Sequence, residues 1–234
     1  MKTSHKNRER LVTKVFQDVF DKYDLMNDLM SFGTHRIWKK KFINWLNPQK
    51  NTILLDVASG TGDIPKLYFK KIDYKGYAYC VDENKNMLHL NKKKFKKNKN
   101  IKWFCSNAEK LPFKNNYFDY YTISFGIRNV NDIDKTLKEA YRVLKPGGRF
   151  LCLEFSKVKN QVLNELYKTY SKSIPKIGKF VMGKSEPYKY LVDSIEKFHS
   201  QEEFFKLIKK QKFNNISFRN LNAGIVAIHS AWKI

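Results

Sequence analysis

The chain is short of three things. It has no run of about 18 consecutive apolar residues, the length a helix needs to cross a bilayer, so no segment reads as a membrane span. Its first ten residues, MKTSHKNRER, also lack the apolar core of a secretory signal, and the expectation is a protein that stays where it is made. Cysteine is scarce: Cys80, Cys105 and Cys152 are isolated, odd in number and never in C-x-x-C spacing. This argues against a disulfide framework or a cysteine metal site, and predicts three small core residues in a reducing compartment with no metal bound. Acid is the third shortage, with 22 Asp and Glu against 46 Lys and Arg, a formal net charge of +24. That excess admits a nucleic-acid partner, lysines solvated on exposed faces, or an anionic bilayer that gains about 1 kcal/mol per near-surface cation. The densest run, NKKKFKKNKN at 91–100, is read as the solvated end of a helix followed by a turn.

What is present is a core. At 234 residues, 42% hydrophobic and 15% aromatic, the chain predicts a single globular domain. Helical spacing runs from Leu11 to about Leu46, broken near Ser31–Gly33 and at Asn47–Pro48. From Thr52 short apolar runs alternate with helices: TILLDV, a helix from about Ile64, GYAYCVD, a helix in NKNMLHLNKKKF, IKWFCS, FDYYTISF, a helix in DIDKTLKEAYRVL, and GRFLCLEFS. LKPGG at 144–148 predicts a sharp helix end and a turn into the last of these strands. Residues 161–210 are helical again, with breaks expected at Pro175, Gly178 and Pro187. FNNISFRNL and GIVAIHSAW then form a hairpin around NAG.

Alternating strands and helices predict an α/β fold with a parallel sheet covered on both faces. A parallel sheet closed by a terminal antiparallel hairpin resembles the seven-stranded Rossmann-like methyltransferase sheet. The expected layout is a helical N-terminal cover (1–50), a cofactor-binding core (51–156), a helical substrate cover (157–212) and the terminal hairpin (213–234).

Ligands of such sheets bind beyond the carboxyl ends of the strands. That places LLDVASGTGD, residues 54–63, at the site. Asp56 ends the first strand, Gly60 and Gly62 permit close backbone approach, and Asp63 can cap a helix that tolerates Pro65 in its first turn. The third glycine of a dinucleotide fingerprint and the lysine of a phosphate loop are both missing. The loop therefore suits a ligand without phosphates, such as S-adenosylmethionine, or is merely a tight turn. Asp82 follows Gly62 by about 20 residues, the spacing at which a carboxylate meets ribose hydroxyls; it can equally serve as a helix cap. Asn107 can present its amide to an adenine edge, and Ala108 leaves room for the ring.

Taken together, KYDLMNDLMSFGTHRIWKK, LLDVASGTGD, SNAEKLPF, the SFGIRN of the fourth strand's end, PYKYLVDSI and LNAGIVAIH resemble the ubiquinone/menaquinone biosynthesis C-methyltransferase family over nearly the whole chain. The resemblance implies S-adenosylmethionine as cofactor, with contacts at Thr61, Asp82, Asn107, Ala108 and Ser124 beside Gly60 and Gly62. It implies a polyprenylated quinol as substrate, either a benzoquinol or demethylmenaquinol, and no nucleic acid. Ser59 departs from the glycine usual there. A homodimer and a place in a quinone-biosynthesis assembly are compatible with it. The expected location is cytoplasmic, peripheral to the inner face of the cytoplasmic membrane, or the mitochondrial matrix in a eukaryote.

Ring methylation needs a deprotonated hydroxyl beside the attacked carbon, stabilisation of that phenolate, and an acceptor for the ring proton. Arg128 cannot serve as a base, so it is assigned to the phenolate, with Asn129 orienting the hydroxyl or a water. His35 is the candidate proton acceptor, and His199 an alternative; either can be a packed or capping residue instead. Tyr188 and Tyr190 can meet the quinone head or simply pack. Asp24, Asn27 and Asp28 can be caps or site groups, and Phe32, Ile37, Trp38 and residues 174–182 can line the path of the prenyl tail. Competing readings are a basic nucleic-acid-binding protein or RNA methyltransferase, which lacks its usual Pro-Pro-aromatic or loop-cysteine signal here, and a nicotinamide oxidoreductase, which lacks its third glycine.

Overall fold

The computed structural model describes residues 28, 31, 33–183 and 185–234. The helices expected between Leu11 and Leu29, and the candidates Asp24, Asn27 and Phe32, lie outside the described residues. The elements follow in the order α1 (His35–Leu46), β1 (Thr52–Val57), α2 (Asp63–Lys71), β2 (Gly76–Asp82), α3 (Lys85–Lys94), β3 (Ile101–Cys105), β4 (Phe118–Ser124), α4 (Ile133–Val143), β5 (Leu144–Phe155), α5 (Gln161–Met182), α6 (Glu186–Lys197), α7 (Gln201–Lys210), β6 (Asn214–Leu221) and β7 (Val226–Trp232).

The seven strands form one sheet in the order β3-β2-β1-β4-β5-β7-β6, and β7 alone runs against the others. Strand alternation splits the core between the two faces. Leu54, Leu151 and Leu153 pack with Trp38 and Phe42 of α1, Tyr68 of α2, Ile174 of α5 and Tyr188 of α6. Leu55, Tyr121, Phe150 and Cys152 face the other way, onto Leu137 and Ala140 of α4 and Phe204 and Ile208 of α7. Both faces are thus sealed, which is why these strands read as apolar runs. Helix starts are set locally: Asp132 accepts from the Lys135 amide at 3.0 Å, and Ser200 and Glu203 form a reciprocal capping box.

Four local expectations change. Pro175 and Gly178 do not break the helix; α5 runs unbroken for 22 residues. Gly178 is there for packing, since a Cβ at that position would lie 2.2 Å from the Tyr188 ring. LKPGG is no separate turn but the start of β5, where the register against β4 shifts between Phe118 and Tyr120 and the strand absorbs the extra residues as a bulge. Cys105 is exposed at the end of β3, whereas Cys80 and Cys152 are buried as expected. Asp63 is the first residue of α2 rather than its cap; Gly62 caps it in the left-handed region at φ 77°.

Candidate active site

Strand order reverses between β1 and β4, so the crevice opens above the carboxyl ends of these two strands. Its floor is tight. A Cβ on Gly126, just past β4, would lie 2.4 Å from the Cβ of Ala58, just past β1. The turn after β1 is pinned to its neighbours by its own backbone: the Ser59 amide donates to the Val81 carbonyl at 3.1 Å and the Gly62 amide to the Ser59 carbonyl at 2.9 Å. Asn91 of α3 donates to the Gly60 carbonyl, and Lys94 to that of Thr61 at 2.9 Å.

Asp82 joins two loops. Its Oδ2 accepts from the Gly60 amide at 2.8 Å and its Oδ1 from the Asn84 amide at 2.9 Å. Asn84, not Asp82, caps α3. Burial raises the Asp82 pKa, and the two amides oppose that shift. Glu109 does the same work on the next pair of loops, its Oε1 accepting from the amides of Asn131 and Asp132 at 2.8 and 2.9 Å. The Asn107 Oδ1 accepts from the Glu109 amide at 2.6 Å. The cleft bounded by these groups is lined by Gly60, Asp82, Asn107, Ala108 and Asn129 of the sequence candidates, together with Ala58, Glu83, Asn84, Met87, Glu109, Phe125 and Gly126. In a chain of net charge +24, this lining carries three acids, Asp82, Glu83 and Glu109, and among the described residues no base.

Beneath the cleft lies a second charged cluster. Asp56 is buried, its Oδ1 accepting from the Thr122 hydroxyl at 2.7 Å while its Oδ2 has no partner. Burial pushes its pKa up to about 7, against the pull of that hydrogen bond. Lys39 of α1 reaches Asp63 at 2.7 Å. Burial disfavours the Asp63 carboxylate, yet Lys39 holds its pKa below the usual range. His35 sits one turn before Lys39, with Nε2 3.0 Å from Asp28 Oδ1. A carboxylate facing Nε2 makes that nitrogen the donor and leaves Nδ1, buried and without a partner, as the acceptor. Burial, then the Lys39 charge, lowers the His35 pKa, so the ring is neutral near pH 7. Arg36 also holds Asp28, with Nη2 to Oδ2 at 3.0 Å.

Past Gly126 the chain makes one turn of 3-10 helix, Ile127–Asn129. Arg128 is buried there, its Nη1 donating to Glu154 Oε1 at 2.7 Å and to the Phe125 carbonyl at 2.8 Å. Glu154 is equally buried; burial raises its pKa and the Arg128 charge opposes this. The Tyr190 hydroxyl of α6 donates to Asn129 Oδ1 at 3.0 Å. Arg128, Tyr190, Ser194 and His199 line a second cavity, which shares Val130 and Asn131 with the first.

Five of the ten candidates therefore border one cleft: Gly60, Asp82, Asn107, Ala108 and Asn129. Thr61 and Gly62 continue its turn into α2. Ser124 lies one residue before Phe125, its hydroxyl buried without a partner, as is that of Ser59. Arg128 borders the adjoining cavity and His35 borders neither. Tyr188 is core; Tyr190 meets the site. Of the expected tail-lining residues, Trp38 is buried and donates to Asn222 Oδ1, whereas Ile37 is exposed. Sequence reasoning missed Glu154, Glu109 and Lys39. Glu154 left a signal, an acid inside the apolar strand FLCLEFS; Lys39, within a run of three lysines, left none. Among the described residues no group of three His, Cys, Asp or Glu is placed to hold a metal ion, and no helix is long and apolar enough to cross a membrane.

The residues fit a nucleoside-bearing cation better than a polyphosphate. Two buried serine hydroxyls are unpartnered near the cleft, three carboxylates line it, and among the described residues no base does. Comparison with known proteins gives the same class. The model of the ubiE/COQ5 methyltransferase family matches residues 2–233. The ubiquinone/menaquinone biosynthesis C-methyltransferase UbiE of Rickettsia bellii is 54% identical, over 97% of this chain and 94% of that one. The UbiE of Rickettsia prowazekii is 52% identical over 100% and 96%. Among solved structures, a SAM-dependent methyltransferase from Aquifex aeolicus superposes with a TM-score of 0.63 at 18% identity, covering 89% of this chain and 97% of that one. The phosphoethanolamine N-methyltransferase 2 of Haemonchus contortus, in complex with S-adenosyl-L-methionine, gives 0.65 at 18% identity, over 84% and 52%.

Proposed function

The chain belongs to the ubiE/COQ5 methyltransferase family and is an S-adenosylmethionine-dependent C-methyltransferase, and we propose that its acceptor is a ring carbon of a polyprenylated quinol, 2-methoxy-6-polyprenyl-1,4-benzoquinol or demethylmenaquinol, in ubiquinone or menaquinone biosynthesis. The observation that carries the cofactor half is the acidic cleft in a strongly basic chain. Among the described residues three carboxylates and no base line it, a setting that repels phosphates and favours a cation. Bound there, S-adenosylmethionine supplies an electrophilic methyl group.

The chain's own residues do the rest. Asp82, already fixed by two amides, keeps lone pairs for the ribose hydroxyls. Asn107 and Ala108 border the adenine, and Gly60, Thr61, Gly62 and Ser124 complete the contact. The quinol head takes the second cavity, across the wall at Val130 and Asn131. Asn129, oriented by Tyr190, positions the hydroxyl beside the attacked carbon. Arg128 stabilises the phenolate, and its bonds to Glu154 and the Phe125 carbonyl fix where that charge stands. For the ring proton, His35 offers a neutral acceptor nitrogen and His199 a place on the cavity wall. Gln at either position tells them apart by which one lowers the rate. The reading adds peripheral contact between a cytoplasmic protein and the anionic inner face of the membrane, supported by the net charge and a lipid acceptor. It admits a homodimer and a quinone-biosynthesis assembly as partners.

The test is calorimetric titration with S-adenosylmethionine and with NADH, followed by mass spectrometry of quinols incubated with the enzyme and cofactor. Binding of S-adenosylmethionine and a mass gain of one methyl on carbon are expected. NADH binding alone, or methylation of RNA and not of quinols, sinks the proposal.

A further inference from the structure

The outer face of α5 takes no part in the chemistry above. Val162, Leu166 and Phe180 stand 70%, 63% and 94% exposed along it. At 3.6 residues per turn, Val162 and Phe180 lie on one line about five turns and about 27 Å apart, with Leu166 about 40° to one side. The opposite face is the packed one: Ser171, Ile174 and Gly178 are buried, the last against Tyr188. The exposed stripe is thus a second apolar face, left over after the helix has filled its place in the core. Lys168, Lys172, Lys176 and Lys179, all exposed, run down one flank of it. Glu165, the one acid of the helix, is 3.1 Å from Lys168.

A helix apolar along its ridge and cationic along its flank has the pattern that lies in the plane of an anionic bilayer, its apolar side chains at the boundary of headgroups and acyl chains. A second copy of the chain fits less well, because pairing two such faces antiparallel brings their lysine rows together and pairing them parallel gives those lysines no acid to meet, the one acid of the helix being 3.1 Å from its own Lys168. We infer that the outer face of α5 is the surface by which the protein rests on an anionic phospholipid bilayer. This rests on the reading that the acceptor is membrane-borne, and it names the element that makes the contact. The inner side of the same helix, at Asn164, Tyr167 and Ser171, lines a cavity with Ser156 and Lys157 beyond β5. Tyr167 is near enough to Arg128 to feel its charge. Docking by α5 therefore leaves only the thickness of this helix between the bilayer and a cavity within reach of the Arg128 charge.

The full chain is floated with vesicles of phosphatidylcholine and phosphatidylglycerol, and with phosphatidylcholine alone, at low salt. Flotation with the anionic vesicles is expected. Val162→Ser, Leu166→Ser and Phe180→Ser combined should reduce the bound fraction more than about tenfold, since each removes an apolar side chain from the boundary. Lys176→Gln with Lys179→Gln should weaken anionic binding about fivefold per lysine and leave the weak binding to neutral vesicles unchanged. Tyr74→Ser with Tyr77→Ser, exposed at the far end of the sheet, should bind as wild type. Wild-type flotation of the triple variant overturns the inference, as does light scattering that shows the triple variant turning a dimer into a monomer at unchanged vesicle binding. Methylation of a short-tailed, water-soluble quinol separates the two readings. Retained methylation with lost flotation supports the inference, whereas a wild-type protein that floats but leaves the quinol unmethylated overturns only the acceptor reading.

Discussion

On the half of the candidate site proposed to hold the cofactor, Asp82 and Glu109 each gather two backbone amides from the loops around them. On the half proposed to hold the acceptor, side chains of different elements hold one another, Arg128 to Glu154 and Tyr190 to Asn129, beside the bond from Arg128 to the Phe125 carbonyl. The two halves should therefore fail differently. Loop amides that lose a carboxylate can turn to water near an open cleft, so the loss falls on ligand affinity. A buried ion pair that loses one member strands the other, and the loss falls on the fold.

The largest expected effect tests that contrast directly. Glu154→Ala leaves the Arg128 guanidinium buried without its counter-charge and should lower unfolding stability by about 3–5 kcal/mol in urea titration. A change near zero would mean that water reaches the pair and that the two halves are held alike.

Next comes Asp56, which lies in β1 beneath the cleft and is buried like Glu154. Its folded pKa, about 7, exceeds the ordinary 3.8, so between these values the folded state binds the extra proton. Stability contributed by this group is present at low pH and is lost as pH rises towards 7. The stability of wild type minus that of Asp56→Asn should fall by up to about 1.4 kcal/mol per pH unit between pH 5 and 7 and level off above it. A flat difference across that range would show an ordinary carboxylate.

Asp82→Ala should weaken S-adenosylmethionine binding about 10- to 100-fold, the worth of about 1.5–3 kcal/mol in hydrogen bonds to a charged group, with a smaller change in stability than Glu154→Ala. Calorimetry that finds an unchanged Kd removes Asp82 from the site. The smallest effect is expected of Tyr190→Phe, which deletes one hydrogen bond to Asn129 worth about 0.5–1.5 kcal/mol. It should lower kcat about 2- to 10-fold while the cofactor Kd holds; a shift in Kd instead would move Tyr190 to the other half.

The same contrast explains what could be read beforehand. The strands TILLDV and GYAYCVD match β1 and β2 to the residue, because strands covered on both faces read as apolar runs. The proposed cofactor half uses residues within or just beyond those strand ends, so spacing alone pointed to Gly60 and Asp82, which border the cleft. Arg128 and Glu154 are 26 residues apart and meet only because β4 and β5 pair in a particular register. Lys39 meets Asp63 across two elements that no local pattern links. The unbroken α5 escaped for a related reason. Gly178 punctuates a sequence, but its purpose there is room for the Tyr188 ring, which only packing reveals.

Gly126 and Ala58 set a dimension for the whole reaction. With space for no more than a hydrogen at 126, the ends of β1 and β4 stand at a fixed spacing. In the proposed reading one of these ends bears the methyl donor and the other the residues that place the acceptor, so this contact works as a gauge block between them. Misplacement of reacting groups by about 1 Å can cost about a hundredfold in rate. A single methyl at 126 would have to push these two strand ends apart, and in the proposed reading the transfer distance is thus set by a residue with no side chain at all.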